Sequence, residues 1–231
     1  MKYKLLVLIL LLDLLMVVFH LLWGRDQPFF HLDYEQNLPT IYQGTKLILT
    51  STLIFTHIFI LLNFNIGINL KRNLIWIPFY LIFLFIGVDE LSQFHESFST
   101  RVVSIGSEPI EDYVSFFDKF DFTSATWLLI YIPAFLIFSG YIYVLVKSLI
   151  TNYKKESLLL IIGALFFLAV PILELVNTSK EFWGTDTYEG LMIMEETAEM
   201  VGATFFLYFS WIVLRKIKKR DVVDSLKLNF S

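Results

Sequence analysis

The chain has 231 residues, of which 56% are hydrophobic, 17% aromatic and 17% charged, with a mean hydropathy of +0.66 and a net charge of -4. Charged residues fall well below the roughly 25% usual in soluble domains, which points to an integral membrane protein. Cysteine is absent, so disulfides, thiolate ligands and a cysteine nucleophile are excluded, and the short, scattered basic clusters offer no nucleic-acid surface.

Six stretches are long and apolar enough to cross a hydrocarbon core, which takes about 20 helical residues. They fall near residues 5–23, 46–65, 74–96, 124–147, 158–177 and 190–214. The expected fold is all-α, a single-domain polytopic membrane bundle of six transmembrane helices. The first run resembles a secretory signal in its Lys2 and Lys4 and its leucines. However, Asp13 interrupts it, and Phe19 to Trp23 stand where cleavage needs small residues, so it reads as a retained helix.

Lysine and arginine set the orientation. With the N-terminus in the cytoplasm, only Arg25, Lys46, Arg101, Lys119 and Lys180 lie outside, and the other 13 of the 18 basic residues lie inside. The positive-inside rule therefore places both termini in the cytoplasm, with a plasma (inner) membrane as the expected location. Inner connections such as residues 148–156 are short and basic. The outer ones are acidic and aromatic, the largest being the outer loop 97–123, where a short interfacial helix is expected near residues 111–120. Residues 215–231 form a basic cytoplasmic tail.

Two acidic motifs dominate the polar residues in these runs. Residues 89–96 read Asp-Glu-Leu-Ser-Gln-Phe-His-Glu and residues 195–199 read Glu-Glu-Thr-Ala-Glu. Helix 3 runs outward and helix 6 inward, so both motifs reach the same leaflet. At about 1.5 Å per residue, Asp89 to Glu96 lie roughly 6 to 16 Å outside the middle of helix 3, and Glu199 to Glu195 roughly 4 to 10 Å outside the middle of helix 6. Glu174, one turn after Pro171, and His20 reach similar heights. At about 100° per residue, Asp89, Ser92, Gln93 and Glu96 share one face, with His95 and Glu90 on its flanks. Glu195, Glu196 and Glu199 share another, continued by Gly202 and Ala203, whose small size lets a neighbouring helix approach.

Ionisable groups at membrane depth are a functional-site hypothesis by default. Glu195 and Glu199 are four apart on one face, where repulsion at about 5 Å and a dielectric near 20 is on the order of 3 kcal/mol. No lysine or arginine is expected in the apolar part of any helix, so the acids need protons or a divalent cation. Carboxylates with imidazole suit Zn, Mn or Fe. The expected ligands are Asp89, His95, Glu96, Glu174, Glu195, Glu199 and His20, with Glu90 or Glu196 as general base. The Glu-x-x-His pairs of di-iron bundles, the His-Glu-x-x-His of zinc proteases and the Gly-x-Ser-x-Gly elbow of serine hydrolases are all missing.

The leading expectation is a metal-dependent enzyme acting on a membrane lipid or lipid-linked substrate. A cation or proton transporter using the same acids is the alternative, and a non-catalytic membrane subunit or assembly factor the third. Asp13 and His57, near the middles of helices 1 and 2, are expected to pair. Thr50, Ser51, Thr52 and Thr56 should bond their own backbone or a neighbouring helix, and Trp23, Trp127, Trp183 and Trp211 should anchor at the interfaces.

Overall fold

Leucine-rich and free of Gly and Pro, Lys4–Phe19 forms the first helix, α1. In this computed structural model, which describes residues 3–34, 36–63, 74–92, 126–177 and 184–228, α1 ends in a π-helical turn, His20–Gly24, followed by a 3-10 turn, Pro28–Phe30. The remaining helices are α2 (Leu38–Asn63), α3 (Trp76–Ser92), α4 (Thr126–Asn177) and α5 (Thr185–Leu228). Among the described residues every regular element is helical. Among the described residues, four helical segments are long and apolar enough to cross a membrane: Lys4–Gly24, Leu38–Leu62, Lys154–Leu173 and Thr185–Lys216.

α2 starts about two turns before the apolar run that revealed it. The cause is a cap: Asn37 Oδ1 accepts the Thr40 N–H at 3.0 Å, with Pro39 in the first turn, where its missing N–H costs nothing.

Thr126–Asn177 is helical along its 52 residues but cannot be one rod. Phe138 and Phe167 are 29 residues apart in sequence, which would separate them by about 44 Å in a straight helix. Yet their rings lie 6.3 and 5.3 Å from that of Phe206. The chain must therefore reverse between an apolar arm Phe135–Leu149 and the arm Lys154–Leu173. The expected connection at residues 148–156 is thus helical rather than a loop. Glu156 there is only 4% exposed and pairs with Lys216 Nζ at 2.8 Å.

The elements pack antiparallel in sequence. Ser51 donates to Tyr80 O at 3.1 Å between α2 and α3, and Tyr141 donates to Ile75 O at 2.7 Å between α4 and α3. Thr50, Thr52 and Thr56 donate to carbonyls four residues back at 2.8 to 2.9 Å, as expected of hydroxyls in an apolar helix. The end where α1 finishes and α5 begins is called upper below. The core centres on Phe79, Phe83, Phe138, Phe167, Phe206 and Phe209, while large apolar side chains such as Ile137 (71% exposed) and Leu165 (63%) cover the outside. Trp23 and Trp211 are exposed among them.

Gly163 and Gly202 let the second arm of α4 touch α5. A Cβ on Gly202 would lie 2.5 Å from Phe167 Cδ2 and 3.2 Å from Gly163 O. This is the close approach that small residues permit in membranes. Gly202→Val should lower stability by about 1–3 kcal/mol, read as a lower midpoint of thermal unfolding in detergent. Gly140→Ala, whose Cβ meets nothing within 4 Å, should leave the midpoint unchanged or raise it.

Candidate functional site

A buried charge network ties three helices together below the upper end of the bundle. Lys46 is 3% exposed, and its ammonium donates to Asp13 Oδ1 at 2.7 Å, Met200 O at 2.8 Å and Thr204 Oγ1 at 3.3 Å. Three donors thus meet three acceptors. Asp13 also accepts Tyr42 OH on Oδ1 at 2.8 Å and Thr204 Oγ1 on Oδ2 at 2.7 Å, and the Tyr42 ring lies 4.4 Å from Nζ.

Two expectations are corrected by this network. A lysine, Lys46, does sit buried inside an apolar helix, and a different partner is found for Asp13. Asp13 pairs with Lys46 rather than with His57, which lies 11 residues, or about 16 Å, further down α2. The physical reason is the Asn37 cap, which moves the helix start upward and so shifts His57 away from the middle. His57 instead sits 4.7 Å edge-on to Trp76, and its Nδ1 has no partner among the described residues.

The acids gather above the aromatic core. Phe83 and Phe206 lie 4.7 Å apart between ring centroids. Glu90 and Glu199 each stand seven residues above their phenylalanine, about 10 Å along the axis and within about 20° of the same face. The two acidic turns therefore oppose each other. Consistent with this, the carboxylates whose fields act on Glu196 include Glu199, Glu90 and Glu195, together with Asp33 from the loop above. Glu199 and Glu90 also act on Lys46. Glu90 shares the face of Phe83, while Asp89, partly buried, lies about 100° round the helix.

The other expected ligands divide. His20 joins a separate group: its Nδ1 accepts the Leu32 N–H at 3.2 Å, so its proton sits on Nε2, 3.9 Å from Glu189 Oε1. Arg25 clamps Glu189 with two bonds at 2.7 and 2.8 Å, which keeps the guanidinium pKa above its ordinary value. His31 meets His20 edge-on at 4.8 Å and stacks on Tyr34 at 4.1 Å. Burial holds its pKa below the usual value, with Glu189 pulling the other way. A Cβ on Gly24 would lie 2.5 Å from His20 Nδ1, so glycine is needed beneath the imidazole.

Gln93, His95, Glu96, the 97–123 loop and Trp183 lie outside the described residues, as do the side chains of Glu174 and Trp127. Among the described residues, no three His, Asp or Glu side chains are gathered closely around one point.

Sequence reasoning missed Lys46, Tyr42 and Thr204. The signal that could have found the α2 residues is the capping stretch Asn37-Leu38-Pro39-Thr40, which places positions 42 and 46 inside the helix.

Among the described residues the protein is all-helical, with helices long and apolar enough to cross a membrane and with the acidic turns of α3 and α5 above an aromatic floor. The chain belongs to the family described as Domain of unknown function (DUF8692), which matches residues 5–213. No curated protein and no solved structure matches it.

Removing one partner of a buried ion pair leaves an uncompensated charge and costs about 3–5 kcal/mol. Lys46→Met should therefore lower the unfolding midpoint strongly, while Asp13→Asn combined with Lys46→Met should recover at least half of the loss. Equal losses in the single and double variants would show that the pair carries no such coupling.

Proposed function

We propose that this is a plasma (inner) membrane protein of six transmembrane helices with both termini cytoplasmic, working as a metal-dependent enzyme on a lipid or lipid-linked substrate. The six apolar runs and their antiparallel packing support the topology. Taking Lys46 into the bundle leaves Arg25, Arg101, Lys119 and Lys180 as the outer basic residues against 13 inner ones, which sharpens the asymmetry.

The observation that carries the enzymatic reading is the opposition of Glu90 to Glu199 above the Phe83–Phe206 contact, with Glu195 and Glu199 acting on Glu196 in the same sense. Asp13 engages the positive charge of Lys46 at 2.7 Å. A divalent cation of the Zn, Mn or Fe kind would turn the mutual repulsion of the carboxylates into attraction and bring water to neutral-pH reactivity. In this reading Glu199, Glu195 and Asp89 hold the ion. His95, Glu96 and Glu174 supply the remainder of the shell, and Glu196 or Glu90 takes up the proton. A lipid headgroup reaches such a depth without leaving its leaflet.

Elemental analysis of the purified protein tests the reading. Wild type should hold metal in stoichiometric amount, and Glu199→Gln and Glu195→Gln should each lose at least nine-tenths of it with little change in unfolding midpoint. Full metal retention in both variants would sink the ligand assignment.

A transport reading has one observation of its own. Lys46, Thr50 and His57 line one face of α2 below the acids, and His57 Nδ1 and Ser210 Oγ are buried without a partner among the described residues. Such a line suits a proton path towards the lower end. Cation or proton flux in proteoliposomes should then fall at least tenfold in His57→Leu, and unchanged flux there excludes this path.

A further inference from the structure

Between α1 and α2 the chain folds over the upper end of the bundle as a strap, residues 26–34. One bond fastens it to α1: Leu32 N–H donates to His20 Nδ1 at 3.2 Å. Both residues are buried, Leu32 at 2% exposed and His20 wholly. A side-chain nitrogen here takes the place of the carbonyl that ordinarily receives a buried backbone N–H. It can do so only while the imidazole is neutral.

What the strap covers follows from its apolar anchor. Leu32 shares a buried cluster with Met16 of α1 and with Met192 and Met200 of α5. Met192, Glu196 and Met200 follow at intervals of four on α5, so they share a face, and Leu32 packs on the face that carries Glu196. Asp33, the next residue of the strap, acts on Glu196 through its field. The remaining printed ties run to the head of α2, where Asn37 Nδ2 donates to His31 O and Thr40 Oγ1 donates to Tyr34 O at 3.1 Å. They hold the strap to α2 whatever happens at His20.

Proton uptake undoes the bond to α1. An imidazolium donates from both ring nitrogens, so Nδ1–H would face the Leu32 N–H, and turning the ring over brings another donor to the same place. The charged form has a partner close by. Nε2, which has no hydrogen-bond partner among the described residues, lies 3.9 Å from Glu189 Oε1, a gap that a small shift of either side chain turns into a charge-assisted bond. Of the groups that act on His20, Glu189 from α5 favours the charge, while His31 from the strap and Arg25 after the π-helical turn oppose it.

We propose that the strap is a pH-operated lid: with His20 neutral, Leu32 is tied down over the acidic turn of α5, and with His20 protonated the imidazolium turns to Glu189 and the strap lifts. Linkage fixes the sense. The open form binds one proton more than the closed form, so opening grows as pH falls, by at most about tenfold per pH unit, within the range of about pH 5 to 8 where imidazoles titrate. The inference concerns access to the acidic turns and does not depend on what they hold.

The test is amide hydrogen exchange of the full-length protein in nanodiscs at about pH 7.5 and about pH 5, on wild type, His20→Gln and His31→Gln, each rate divided by the intrinsic rate of an unstructured peptide at the same pH. Between the two conditions, protection of the peptide carrying Leu32 should fall about tenfold or more in wild type while α1 and α5 keep theirs. His20→Gln, whose Oε1 accepts from the Leu32 N–H at any pH, should stay protected at both. His31→Gln should follow wild type. Equal protection at both pH values in wild type overturns the lid, and so does a loss spread evenly over all the helices, which is acid unfolding. A transition that persists in His20→Gln overturns the role of His20, whether or not His31→Gln abolishes it. If His20→Gln does not fold, His20→Asn takes its place under the same criterion, and the wild-type comparison still decides whether the strap opens.

Discussion

A lysine and an aspartate paired inside an apolar bundle constrain nearly everything around them. Lys46 and Asp13 meet at 2.7 Å, and each would be costly to bury alone. Their partners come from α1, α2 and α5 together, so the network sets the rotation and height of three helices at once. α1 needs this most. Its surface is almost wholly apolar, with eight of its sixteen residues leucine, and an aliphatic side chain against lipid or against a neighbour distinguishes one rotation from another only weakly. The stripe Leu6, Ile9, Asp13, Met16 and His20 is buried because Asp13 must face Lys46.

With α5 held in register, two further layers take their places. Two residues below Thr204 begins the phenylalanine layer, in which Phe206 touches rings from α3 and from both arms of α4. Above Met200 come Glu199, Glu196 and Glu195, and above those Glu189 with its Arg25 clamp. α5 thus works as a ruler on which the aromatic floor, the ion pair and the acid cluster are marked off in turn. The close packing of Gly202 on Gly163 prevents α4 from sliding along it.

Much of this was legible in the residues. Long apolar runs announce helices because no other isolated segment can satisfy its backbone in hydrocarbon. The hydroxyls of α2 behave as their chemistry requires, and the shared faces of Glu195, Glu196 and Glu199 follow from helical pitch alone. Hydropathy alone does not mark where a helix begins. It makes Lys46 the first residue of an apolar run, although Asn37 caps the helix earlier and carries Lys46 into its interior. The same shift changes the partner of Asp13. His20 was grouped with the acids by height, but the loop through Leu32 and the clamp on Glu189 claim it instead.

The amino-acid order by itself determined that the chain is helical, that most of its exterior is apolar, and that its acids lie towards the ends of two helices running in opposite directions. These are properties of single segments, set by local backbone needs and by a pitch common to all helices. Which aspartate meets which lysine, which of Asp89 and Glu90 faces α5, and where Thr126–Asn177 doubles back were decided only in the folded bundle. Each depends on the relative height and rotation of separate helices, and those are set by interlocking side chains from remote parts of the chain rather than by any one stretch of it.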